Sequence, residues 1–218
     1  MTVKSDLLKY EKELYKRNIT LIAGVDEAGR GPLVGPVVAA AVILPKNYHL
    51  EGLNDSKQLS EKKRENFYQI LQKEAVSIGV GIVDALEIDR INILEASRKA
   101  MYIALNDLDI KPEYILSDAM SLNDIDIPSR PIIHGDALSL SIAAASVIAK
   151  VTRDHIMYDL DQKYPEYHYK KHKGYPTKEH LELMKKYGIT KEYRMSYKPV
   201  KLILEERKSE EVKEIVAE

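Results

Sequence analysis

The stretch GVDEAGRGPLVGPVVAAAVILP, residues 24–45, sets two adjacent acids, Asp26 and Glu27, in front of a Gly-Arg-Gly turn and a long apolar run. Residues 20–26 and 34–44 are rich in Val, Ile and Ala, as buried strands are, and the glycine turn joins them into a pair. Surface acids rarely follow a buried strand straight into such a turn, so Asp26 and Glu27 call for a chemical reason. Working outward, VSIGVGIV (76–83) reads as a third strand. Ser60 is the expected cap of a helix to about Glu74, with Phe67, Ile70 and Leu71 facing inward. Asp84 followed by Glu87 resembles a capping box, opening a helix with Ile91, Leu94, Met101, Leu105 and Leu108 on one stripe. YILSD (114–118) and IIHGD (132–136) look like short buried strands, each ending in an acid. An Ala-rich helix is expected from about Leu138 to Gln162, and Thr177 should cap another that Gly188 ends. Three successive strands, then strands separated by loops and helices, imply an α/β domain with a mixed sheet. Ligands of open α/β sheets gather outside the carboxyl ends of the strands, which is where Asp118 and Asp136 would lie.

With 218 residues, 44% of them hydrophobic, the chain can bury a substantial core. It has no cysteine, which excludes disulfides, zinc thiolate sites and thiol nucleophiles. The N-terminal stretch is charged throughout, and the longest apolar run is broken by Pro32, Gly35 and Pro36, so a soluble, cytoplasmic protein is expected, with no membrane contact. Net charge is −1, yet from Lys163 to Lys201 eleven Lys or Arg face four acids, interleaved with tyrosines. Such a basic, aromatic segment suits phosphate tracking, although a solvated helical face would read the same way. The last fourteen residues, from Glu205, hold six acids against three bases, an acidic tail that could be disordered.

If Asp26 and Glu27 end the first strand, four carboxylates can converge with Asp118 and Asp136. Like charges at short range raise one another's pKa values, and a hard divalent cation removes that conflict. Mg²⁺ takes oxygen ligands from a few carboxylates together with substrate phosphates. Two such ions about 4 Å apart can activate a water and stabilise the leaving oxygen of a phosphoryl displacement. The chemistry suggested is phosphodiester hydrolysis. Taken singly, Asp118 and Asp136 read equally well as turn or helix-cap residues. A nucleotide cradle does not fit: the G-x-G-x-x-G spacing fails after Gly31, Pro32 removes a donor, and two acids would face the pyrophosphate.

Six stretches together resemble bacterial ribonuclease HII, the type 2 ribonuclease H family. They are GVDEAGRGPLVGPVVAAAV (24–42), NDSKQLSEKKRE (54–65), EIDRINILEASRKAM (87–101), GDALSLSIAAASVIAKVTRDHIM (135–157), HKGYPTKEH (172–180) and YRMSYKPVK (193–201). The resemblance implies an RNase H-like α/β fold, a mixed central sheet flanked by helices, plus a small helical C-terminal part. On that basis residues 1–163 form the catalytic domain with a short N-terminal helix, 164–204 a basic substrate-binding part, and 205–218 the acidic tail. It also implies a four-carboxylate site of Asp26, Glu27, Asp118 and Asp136 holding Mg²⁺ or Mn²⁺, with two ions in the catalytic complex. Asp118 is preferred to Asp124 and Asp126 because it ends an apolar strand.

The family cuts the RNA strand of RNA/DNA hybrids and cuts 5′ of single ribonucleotides in duplex DNA, leaving 3′-hydroxyl and 5′-phosphate ends. The resemblance makes those duplexes the expected partners. Gly29, Arg30 and Gly31 would read the 2′-hydroxyl with backbone groups, because residues without a side chain let the main chain approach closely. Tyr175, of the KGY motif, would pack on the sugar at the RNA to DNA junction. Lys57, Lys150 and Arg153 could hold phosphates. His134 could assist proton transfer or be structural, and Asp154 is expected only as a helix-surface partner of Lys150. YRMSY stands where relatives more often have His-Arg-x-Ser-Phe. A monomer is expected, and no stretch argues for docking on a replication clamp. Another nuclease of the same fold, such as a junction resolvase, and a non-catalytic hybrid-binding protein stay open as alternatives. Four acids facing phosphate argue against the second.

Overall fold

The computed structural model describes residues 7–217, with side chains as far as Ser209. In chain order the elements are α1 (Lys9–Tyr15), β1 (Ile22–Ala28), β2 (Val37–Ile43), α2 (Glu61–Glu74), β3 (Ser77–Val83), α3 (Ala85–Ile91) and α4 (Ile93–Asn106). Then follow β4 (Tyr114–Asp118), β5 (Ser129–Ile132), α5 (Leu140–Lys163), α6 (Tyr169–His172), α7 (Lys178–Tyr187) and α8 (Lys198–Ala217). They fall into two compact units. One holds the chain up to Ala28, Val38–Ile82 and Ser97–Thr152; the other holds Gly29–Val37, Val83–Ala96 and the chain from Arg153 on.

The first unit carries a five-stranded sheet in the order β3-β2-β1-β4-β5. β1 runs antiparallel to β2 and parallel to β4, and β4 runs parallel to β5, so the sheet is mixed, as expected. Every residue of β2 is buried, which is why its sequence is an unbroken VVAAAVI instead of an alternation. Leu140, Ala143–Ala145 and Val147–Ala149 of α5 pack with Ala40, Val42, Phe67 and Leu71 in the main core. A helix apolar on so many sides belongs inside. Gly24 of β1 lets α5 come close, since a Cβ there would lie 2.0 Å from the backbone of Ser141.

The second unit has its own core of Leu33, Val34, Met157, Tyr167, Tyr169, Met184, Tyr193, Val200 and Ile203. This core explains why the units do not divide at residue 163. Leu33 and Val34 follow the glycine turn and Met157 lies on α5, yet all three bury against C-terminal residues. α8 runs helically through the acidic stretch from Glu205 to Ala217, in place of the disordered tail the composition allowed; Glu218 lies outside the described residues. Among the described residues no helix is long and apolar enough to cross a membrane.

Local signals held at most helix starts. Ser60, Asp84 and Thr177 each accept a backbone N–H three residues on, from Lys63, Glu87 and His180. Two expectations need correction. The helix read from Asp84 to about Leu108 is two helices, because Asn92 is left-handed at φ 69° and its Oδ1 accepts the N–H groups of Leu94 and Glu95, starting α4 afresh. The strand read over 132–136 stops at Ile132, with Ile133 exposed and His134 left-handed. Asp136 therefore lies in a 3₁₀ turn, Gly135–Ala137, just ahead of α5.

Candidate active site

Parallel pairing places the first two acids. Val25 of β1 is level with Ser117 of β4, so the next residues along the two strands are Asp26 and Asp118, side by side at the carboxyl ends. The turn at 135–137 brings in the third. One carboxylate oxygen each from Asp26, Asp118 and Asp136 lies within 4.8 Å of the others. Asp26 and Asp136 are buried and Asp118 is half-buried. The Gly135 N–H donates to Asp118 Oδ1 at 2.7 Å, tying the turn to β4. Glu27 is not among the three, though its backbone N–H donates to Asp26 Oδ1 at 2.7 Å. Asp124 and Asp126 stand outside the cluster as well.

Burial pushes the Asp26 carboxyl well above the usual range, and the charges of Glu27 and Asp118 push it further; the Glu27 N–H only partly opposes them. Burial also raises Asp118, against the Gly135 N–H and the charge of Lys57. Lys57 Nζ lies 3.1 Å from Asp136 Oδ2. Burial of the Lys57 ammonium would lower its pKa, but Asp136 outweighs that and holds it up. As its side chain is 75% exposed, the pair is worth at most about 1 kcal/mol of stability. Lys57 thus touches Asp136 directly, which the phosphate contact expected of it did not include. Lys150 is half-buried on α5.

The donor set is all hard oxygen, crowded, and short of positive charge, which fits a hard divalent cation such as Mg²⁺ or Mn²⁺.

In the second unit the glycine turn is built by two arginines. Gly29 is left-handed at φ 100°, where a side chain would be strained and would meet Arg153 Nε at 2.2 Å. Arg153 is only 1% exposed and donates to the carbonyls of Pro36, Val34 and Lys173 at 3.1–3.2 Å. Burial lowers its pKa to about 10. Its role as a phosphate contact is corrected accordingly: its guanidinium is occupied by backbone oxygens. Arg194, fully buried, donates to the carbonyls of Gly29, Arg30 and Gly35 at 2.6–3.0 Å. Arg30 and Gly31 stay exposed. The Tyr175 ring, 43% exposed, lies over Gly31, where an added Cβ would come within 3.3 Å of it. Arg30, Gly31 and Tyr175 thus share one accessible surface.

Sequence reasoning missed what holds Tyr175. His180 Nδ1 is 2.8 Å from the Tyr175 carbonyl and Nε2 is 2.9 Å from the Tyr193 hydroxyl. A carbonyl only accepts, so Nδ1 carries the proton. His172 Nε2 is 2.8 Å from the Tyr167 carbonyl, while its Nδ1 accepts the Gly174 N–H at 3.2 Å. The two rings stack with centroids 4.2 Å apart. Their spacing in HKGYPTKEH was the available signal, but nothing in it distinguishes a hydrogen-bonded pair from two surface histidines. Asp89 of α3 was also missed; it accepts the N–H groups of Met195 and Ser196, which fixes the YRMSY stretch.

Residues 23–200 match the family model for ribonuclease HII. The ribonuclease HII of Geobacillus sp. (strain WCH70) is 53% identical over 203 residues, 93% of this chain and 73% of that protein. That of Acetivibrio thermocellus is 55% identical over 188 residues, 86% of this chain and 73% of that protein. The crystal structure of ribonuclease H2 from Pyrococcus horikoshii OT3 is similar with TM-score 0.75 and 30% identity, covering 85% of this chain and 97% of that one. The chain belongs to the ribonuclease HII family and is a ribonuclease H enzyme.

Proposed function

We propose that the enzyme hydrolyses the RNA strand of RNA/DNA hybrids and also cuts duplex DNA on the 5′ side of a single embedded ribonucleotide, leaving 3′-hydroxyl and 5′-phosphate ends. The observation that carries this is the cluster of three carboxylates, two at the ends of β1 and β4 and one in the turn ahead of α5, with one oxygen of each within 4.8 Å of the others. Asp26, Asp118 and Asp136, with Glu27 adjoining, would hold divalent cations; when bound, two such ions supply an activated water and stabilise the leaving oxygen. The chain's own groups do the rest. The Gly135 N–H and Lys57 Nζ orient Asp118 and Asp136. Arg194 and Arg153 hold the carbonyls of residues 29–36 inward, which leaves Arg30 and Gly31 at the surface to meet a 2′-hydroxyl. Tyr175 offers an exposed ring face for the sugar beside it. A single residue, Ala28, separates Glu27 from Gly29, so the group that reads the sugar is covalently next to the acids.

The deciding experiment compares two labelled DNA duplexes with Mg²⁺, identical except for one internal ribonucleotide, with cuts mapped at nucleotide resolution. Only the ribonucleotide duplex should be cut, on its 5′ side. Equal cutting of both would move the reading to a structure-selective nuclease.

A further inference from the structure

Glu11, on α1, is a carboxylate buried to 1% exposure, far from the expected surface position of an acid on a charged helix. Its Oε1 accepts the Ser139 hydroxyl at 2.6 Å and the Ser141 N–H at 3.0 Å. The Ser139 oxygen accepts the Ile142 N–H at 3.3 Å. Ser141 and Ile142 lie in the first turn of α5, so an anion here meets amides that lack partners within the helix and favour negative charge. The same connections run on toward the acids. The Ser139 N–H donates to the Gly135 carbonyl at 2.8 Å, and the Gly135 N–H donates to Asp118 Oδ1. Asp136 sits inside the turn that these bonds close. One continuous path therefore joins Glu11 to both acids contributed from outside β1. Glu11 Oε2 is buried with no hydrogen-bond partner among the described residues, so this carboxylate is not kept for the sake of surface pairing.

We infer that Glu11 is a positioning residue for the acid cluster: through Ser139 and Gly135 it fixes the turn that sets Asp136 and Asp118 at cation-binding separation. This rests on the reading that the three acids hold a divalent cation. The rival role is a helix cap that adds stability and nothing else. Burial of α1 would then be enough, and metal affinity would follow overall stability.

The test uses the full chain without nucleic acid. Mn²⁺ affinity is measured by calorimetry and by the electron paramagnetic resonance of free Mn²⁺, next to the thermal midpoint, for the parent, Ser139→Ala, Glu11→Gln and Leu14→Ala. Leu14 packs α1 onto Ile22, Leu116, Ile132 and Ile142 and has no part in the path, so it serves as the stability control. Expected is a loss of Mn²⁺ affinity of about tenfold in Ser139→Ala and Glu11→Gln, in the range for groups that orient metal ligands. Leu14→Ala should stay within about twofold of the parent even if its midpoint falls further. Unchanged affinity in Ser139→Ala overturns the proposal, as does an equal loss in Leu14→Ala. If the parent itself binds no Mn²⁺, the cation reading of the cluster fails first and takes the proposal with it. Should Glu11→Gln not fold, Ser139→Ala decides alone.

Discussion

Asp26 sets stability against use. Its carboxylate is buried beside two others, and each contact that would suit it to a cation makes it a poor core residue. Asp26→Asn keeps the acceptor for the Glu27 N–H and removes the repelled charge. Without metal the thermal midpoint of this variant should rise by roughly 2–4 °C, the shift that about 1 kcal/mol gives in a chain of this size. Hybrid binding should persist, while cleavage falls by about 10²–10³, the scale of one lost electrostatic contribution at a reacting centre. Calorimetry and a cleavage time course check the two halves; a variant that cuts at the parent's rate would remove Asp26 from the mechanism. Asp26 was legible as part of the cluster because its position, in a buried strand running into a glycine turn, left no structural use for a charge, while Glu27, read together with it, stands outside the three grouped acids. Asp118 was legible by the same logic, as the end of an apolar strand. Glu11, Arg153 and Arg194 were not, because a charge on a helix or loop looks solvated until its partners, most of them more than a hundred residues away in sequence, are in place.

Elements whose ends are marked by a side-chain cap were read closely, as at Ser60 and Thr177. Where the ending depends on one residue turning left-handed, at Asn92 and His134, the apolar pattern simply ran on through it. The turn between α6 and α7 shows what such local patterns cannot carry. His172 uses Nδ1 as an acceptor, which requires a neutral ring, and burial disfavours the charged form of His180. Burial pushes His180 down to about 4 and lowers His172 as well, with Glu179 on α7 partly opposing it for His172. Since an unfolded histidine takes its proton near 6.5, the unfolded chain binds more protons than the fold between those values, so stability falls as pH drops from about 6.5 to about 4. Above 6.5 this contribution is flat. Urea midpoints of the parent and of His180→Asn, compared across that window, isolate it from the carboxylates. The parent should lose on the order of 3 kcal/mol more than the variant; parallel curves would refute a neutral His180.

Across the whole molecule, charge is close to balanced while its distribution is not. The surplus of seven positive charges between Lys163 and Lys201 is the difference between eleven bases and four acids, and it lies in the unit that presents Tyr175 and Arg30. Duplex affinity should therefore depend on salt despite the net charge of −1. With about three phosphates neutralised, affinity should drop roughly 50-fold between 50 and 200 mM salt, measured by fluorescence anisotropy on a hybrid. A flat response would show that the segment stays off the backbone. Arg194, counted among those eleven, cannot contribute, because its donors already serve the carbonyls of Gly29, Arg30 and Gly35.

That use of Arg194 has a consequence in time. The carbonyls of Gly29, Arg30 and Gly35 are held by a side chain that the ribosome adds 159 to 165 residues later. Strands of the first unit can pair while the chain is still being made, and Arg153 can already hold Val34 and Pro36, but Gly29, Arg30 and Gly35 lack the Arg194 donors until the C-terminal segment has emerged. A nascent polypeptide stalled before Arg194 would carry the three acids with the Gly29–Gly31 turn only partly held, so the turn proposed to read a 2′-hydroxyl takes its final shape only once Arg194 has been added.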